Sequence, residues 1–168
     1  MSRSPWLSIG IDPGASGALA LLSSDGYADG RVVDTKSPEA LLAAYFELTV
    51  ACPLWAAPVD KKCAVFLEDV HSMPGEGHVG VFSFGQAKGV PRGFFAALGF
   101  EVELISPQAW QKRFFKDTLA RVDKDTRKET MRRAAAKRWP KAALSRKKDE
   151  AVAAALYLAA CGAAVRAW

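Results

Sequence analysis

The chain has 168 residues, half of them hydrophobic and about a quarter charged, an ordinary soluble composition that suits one domain with a sizeable core. Three cysteines, Cys52, Cys63 and Cys161, lie far apart without CxxC spacing, which argues against a zinc site or disulfide framework and suits a reducing cytoplasm; no signal-type apolar segment precedes the first predicted strand. The net charge of +5 is unevenly spread: residues 1–107 carry 7 Lys/Arg against 12 Asp/Glu, and residues 108–148 carry 15 against 4. An acidic front half followed by a strongly basic segment points to a polyanionic partner, nucleic acid before others.

Taken in order, Trp6 to Ile11 reads as a buried strand. It ends on Asp12, then Pro13-Gly14 and Ser16-Gly17, and a second apolar run from Ala18 to Leu22 follows too closely for a helix between. The two runs predict a hairpin. A carboxylate closing a buried strand needs a partner or a metal; the alternative is a solvated turn Asp. Arg31 to Asp34 predicts a third strand. Pro38 to Val50 has helical spacing behind the cap signal Ser37-Pro38. Residues 51–62 read as a loop, and Cys63 to Leu67 as a buried parallel strand ending on Glu68-Asp69.

Residues 70–81 are Gly-rich and read as an exposed loop. Phe82 to Leu98 predicts a helix with small residues at Gly85, Ala87 and Gly89, with Phe82 and Phe84 in the core. Pro91 marks either a kink or that helix's true first turn. Phe100 to Ile105 predicts a strand, and Ser106-Pro107 caps a helix from about Gln108. Residues 117–125 read as a charged loop, Thr126 to Trp139 as a basic helix and 141–148 as a linker. A final apolar helix from about Asp149 is short for a membrane span.

The order β-β-β-α-β-α-β-α-α-α predicts an α/β fold: three antiparallel strands, then two delivered by crossovers, in one mixed five-stranded sheet with helices on both faces. Asp12 and Glu68 then end neighbouring strands, and Asp149 meets them if the last helix crosses the same edge. Clustered carboxylates suit Mg²⁺ or Mn²⁺, and two such ions clamp a phosphodiester.

The segments IGIDPGASGALAL, VFLEDV, FGQAKGV, ISPQAWQK and KKDEAVAAALYLA resemble, in order and over about residues 6 to 162, the RuvC-type Holliday junction resolvases, the compact bacteriophage members above all. The resemblance implies an RNase H-like fold, a homodimer, and cleavage of branched DNA, such as four-way junctions, with divalent metal and no nucleotide cofactor. It implies that Asp12, Glu68 and Asp149 are metal ligands and that Lys124 lies near the scissile phosphate. The family's second acid on the last helix is missing, since Val152 and Ala153 stand one turn on, and Glu150 is the other acid at hand. The loop after Glu68 resembles a junction-wedging segment, with His71 and Met73 as candidates. Lys112, Lys124, Arg127, Lys128, Arg132 and Arg133 are expected to contact phosphates. Two symmetric cuts need two sites, so a twofold dimer through the Phe82–Leu98 helix is expected. An RNA-processing nuclease of the same fold and a non-catalytic junction-binding protein stay open. An actin-like ATPase needs two such domains, for which the chain is too short.

Overall fold

A computed structural model describes residues 4–58, 62–71, 75, 77–116, 118–119 and 122–165. Met73 lies outside them. The strands are β1 (Trp6–Asp12), β2 (Gly17–Ser23), β3 (Ala28–Val33), β4 (Lys62–Glu68) and β5 (Val102–Ile105). The helices are α1 (Pro38–Ala51), α2 (Pro53–Ala56), α3 (His78–Ala97), α4 (Pro107–Phe115), α5 (Lys124–Arg138) and α6 (Glu150–Val165), with a 3₁₀ turn at Lys147–Asp149. The sheet order is β3-β2-β1-β4-β5, with β1 antiparallel to β2 and parallel to β4. This is the predicted mixed sheet.

Strand alternation sorts the two faces. Leu7, Ile9, Ile11, Val65 and Leu67 pack with α1 and α3 residues such as Leu41, Leu48 and Phe95. The other face is made of small groups, among them Gly10, Ala18, Ala20 and Gly30, and α6 lies on it. A Cβ at Gly10 would stand 1.9 Å from the Ala155 carbonyl oxygen, so the helix and strand backbones all but touch. That close approach explains the alanine-rich α6: larger side chains would lift it off the sheet. Ser8 Oγ fastens the contact by donating to the Ala159 carbonyl at 2.7 Å. No helix among the described residues is long and apolar enough to cross a membrane.

The predicted cap signals hold. Ser37 Oγ accepts from the Ala40 N–H and Ser106 Oγ from the Ala109 N–H, each with proline at the helix start. Elsewhere the chain departs from expectation. α3 starts at His78, so Pro91 sits in mid-helix rather than in a first turn. α5 starts at Lys124 because Asp123 accepts from the Asp125 and Thr126 N–H groups, a cap hidden in what reads as a charged loop. Phe82 is 68% and Phe84 36% exposed, so neither belongs to the core. α3 turns Phe95 and Ala87 inward and leaves Phe82, Phe84, Gly85 and Gly89 outside.

Candidate functional site

Ile11 pairs with Leu67, so the next residues, Asp12 and Glu68, end β1 and β4 side by side. By alternation both point to the α6 face. The turn after Asp12 is pinned. Gly14 takes φ +144°, a conformation that favours glycine, and its N–H donates to Thr35 Oγ1 at 2.8 Å. A Cβ at Gly17 would lie 2.3 Å from the Asp12 carbonyl oxygen, so the second glycine is required by the tight return.

A cleft of about 390 Å³ opens over these strand ends, lined among others by Asp12, Glu68, Trp110, Lys128, Lys148 and Glu150. Asp12 is half-buried, with protein packed round it except toward the cleft. Burial first, and then the nearby Glu68, push its proton affinity well above the usual carboxylate range, against a smaller opposing pull from Lys128. Glu68 is raised too, by burial, although the Trp110 N–H bound to it acts the other way. Glu150 receives Lys128 Nζ at 3.1 Å.

Asp149 goes elsewhere. It is 1% exposed and folds back on its own turn, where its carboxylate accepts the Arg146 backbone N–H at 2.6 Å and the Arg146 guanidinium at 2.9 Å. Burial alone would raise its pKa, but these bonds outweigh it and the net shift is downward. Asp12, Glu68 and Glu150 thus all line the one cleft, and Asp149 does not. The physical reason is the 3₁₀ turn at Lys147–Asp149, which ends on Asp149 and leaves Glu150 as the first residue of α6.

The basic candidates separate likewise. Lys128 is in the cleft, whereas Lys124, one turn earlier on α5, is exposed and is not among the residues lining it. Arg132, expected on phosphates, is committed internally: it forks onto Glu129 at 2.8 and 2.9 Å and also donates to the Leu144 carbonyl, tying α5 to the segment before α6. Arg133 shares Glu129 but is largely exposed, and Lys112 is exposed on α4. Arg127 donates to the Val122 carbonyl at 3.3 Å, and its buried Nε has no partner among the described residues. His71 is exposed beside Asp69 at 3.3 Å, and Asp69 also binds Lys88 of α3. Lys88 first, with His71 adding to it, holds the Asp69 carboxyl below its usual range. Trp110 carries no sequence signal beyond its place one turn into a capped helix.

Among the described residues no three Asp, Glu, His or Cys side chains stand close enough together to form a ready metal-ligating group. The donor set nevertheless fits a hard divalent cation. Asp12 and Glu68 converge with raised proton affinity, Asp12 has no hydrogen-bond donor among the described residues, and all the cleft acids offer oxygen. Asp12, Glu68 and Glu150 would hold such an ion, Glu150 after release from Lys128.

No protein-family profile and no curated protein matches the chain. Among solved structures, T. thermophilus RuvC in complex with Holliday junction substrate is similar at 17% identity, with 94% of this chain and 90% of that one covered and a TM-score of 0.52. A second Thermus thermophilus RuvC structure is also 17% identical, covering 91% and 90% of the two chains with a TM-score of 0.46. The strand order, the crossovers and the sheet-spanning α6 therefore amount to the fold of RuvC, the RNase H-like mixed sheet.

Proposed function

We propose that the protein is a metal-dependent, structure-selective endonuclease that hydrolyses phosphodiesters in four-way or other branched DNA. The observation that carries this is the carboxylate pair Asp12 and Glu68 on adjacent strand ends, faced by Glu150 and Lys128, in a fold shared with a RuvC bound to a Holliday junction. The ions are Mg²⁺ or Mn²⁺, two in the reading adopted from the sequence, and when bound they supply Lewis-acid polarisation of the phosphodiester. Asp12, Glu68 and Glu150 bind and orient. Lys128 takes the part the resemblance implied for Lys124: it offers an ammonium to the charge that grows on the phosphate.

The deciding experiment incubates the protein with a labelled four-way DNA junction and, separately, a structured RNA, with and without Mg²⁺. Mg²⁺-dependent paired nicks in the DNA junction are expected. Binding without cutting in both Mg²⁺ and Mn²⁺ would leave a non-catalytic junction-binding protein, and preferential cutting of RNA would make it an RNA-processing nuclease.

Two further expectations belong to this reading. Lys112→Ala, Lys124→Ala and Arg133→Ala should each flatten the slope of log K against log salt by roughly 0.9 on duplex arms. Arg132→Ala should instead lower thermal stability, since its bonds are internal. Unchanged slopes for the first three would remove them from the DNA interface. The protein should also be a twofold dimer, covering the exposed Phe82, Phe84 and Gly85 side of α3. Sedimentation equilibrium at micromolar concentration is expected to give twice the chain mass, and Phe82→Asp to halve it. A monomer that stays one per junction when bound would overturn this assembly.

A further inference from the structure

The two oxygens of Glu68 are not equivalent. Trp110 Nε1 donates to Oε1 at 2.8 Å, with Trp110 and Glu68 both buried. No donor to Oε2 is present among the described residues. The indole is itself immobilised. Its ring stacks on Tyr157 at 6.1 Å and 14°, and Phe114, Phe115 and Trp139 pack their rings round Tyr157 at 4.9–5.0 Å. A bicyclic ring of the same size without the N–H would fill this part of the core as well. What the indole adds is one donor at the core's edge, aimed at a carboxylate on the cleft floor, and indole N–H groups are used in this way where one end of the ring meets polar surroundings.

We propose that Trp110 is a positioning residue for Glu68: it holds Oε1 in the core and so commits Oε2 to the cleft shared with Asp12 and Glu150. Partners of this kind set the orientation of a ligating side chain, and their removal weakens a site they never touch. The inference rests on the reading of the cleft as a cation site.

The test measures Mn²⁺ binding to the full chain without DNA, following free Mn²⁺ by its paramagnetic resonance. Trp110→Phe is expected to weaken Mn²⁺ about 10-fold. Replacing Trp110 with benzothienylalanine, which keeps the bicyclic ring and lacks the N–H, should do the same with the melting temperature unmoved. Trp139→Phe removes ring volume from the same cluster without touching the donor, and should leave affinity at the parent value. In a Glu68→Ala background, Trp110→Phe should have no further effect. Equal affinity in both position-110 variants and the parent, or an equal loss in Trp139→Phe, would overturn the inference alone and make Trp110 core filling. A parent that binds no Mn²⁺, or binds it equally after Asp12→Asn, overturns the cation site and the inference together.

Discussion

Asp12→Asn is expected to lose cleavage by about 1,000-fold or more while binding branched DNA as well as or better than the parent. It is also expected to be more stable. The two effects have one cause. In the fold Asp12 is half-buried, with protein round it except toward the cleft, and set beside Glu68, so its charged form is disfavoured and its pKa stands well above 3.8. The folded protein therefore binds this proton more tightly than the unfolded chain does. For an acid with a raised folded pKa, the associated stability is complete below the unfolded value and is lost as pH rises through the folded one. At neutral pH the parent carries that loss and an amide at position 12 does not. The melting temperature of Asp12→Asn should thus exceed the parent's at pH 7 to 8 without metal, by about 2–4 °C for each kcal/mol relieved. The difference should shrink toward zero as pH falls below 3.8, where Asp12 becomes protonated in the unfolded chain as well. Added Mg²⁺ should raise the parent's melting temperature, because a ligand of the native state stabilises it by mass action, and leave the variant's unmoved. Substantial cutting by the variant in Mg²⁺ would remove Asp12 from the chemistry. A melting temperature that falls at neutral pH would show that the carboxylate is a structural partner rather than a burden on the fold.

The sheet was legible because its signals are local and repeated. Apolar runs of strand length, D-P-G and S-G punctuation, and the Ser-Pro caps at Ser37 and Ser106 all agree with one topology. That topology brings Asp12 to Glu68 without any side-chain detail. The rest of the site turns on rotations of one residue that periodicity does not resolve. Asp149 and Glu150 are adjacent, and which one enters the cleft depends on a three-residue turn closed by Arg146. The R-x-x-D spacing of that turn was visible in the sequence, but it reads equally as part of a basic run. Lys124 and Lys128 differ by one turn of the same helix, and the choice between them rests on where Asp123 starts α5. Phe82 and Phe84 were misjudged for another reason. Hydrophobicity predicts burial, and an exposed apolar residue has the same sequence signature as a core residue. Trp110 shows the converse: its place one turn into a capped helix is legible, and its N–H bond to Glu68, which depends on how the ring is turned in the fold, is not.

The last expectation separates the two acids at the head of α6. Glu150→Gln should lower cleavage by roughly 100-fold at limiting metal, recover partly at high Mn²⁺, and change stability little. Its carboxylate is in the cleft and its present partner is the half-exposed Lys128, an ion pair of small net worth. Asp149→Ala should do the reverse. It removes the acceptor of the Arg146 backbone N–H and of its guanidinium, at a cost of about 1–2 kcal/mol, with metal dependence close to the parent's. The pH signature is also opposite in sign to that of Asp12. Asp149 is shifted below 3.8, so its contribution is present above that value and lost as pH falls through the folded pKa; the stability gap between parent and Asp149→Ala should close in acid. A further acid can then be supplied to the cleft rationally. Val152 is 3% exposed and packs against Gly30, where a Cβ would meet it at 2.6 Å, so Val152→Asp buries a charge under the sheet and should unfold the protein. Ala154 lines the cleft one turn beyond Glu150, and Ala154→Asp should tighten Mn²⁺ binding. If Glu150→Gln leaves rate and metal dependence unchanged while Asp149→Ala abolishes cutting in a folded protein, the turn at Lys147–Asp149 must rearrange on metal binding and the acid at work is Asp149.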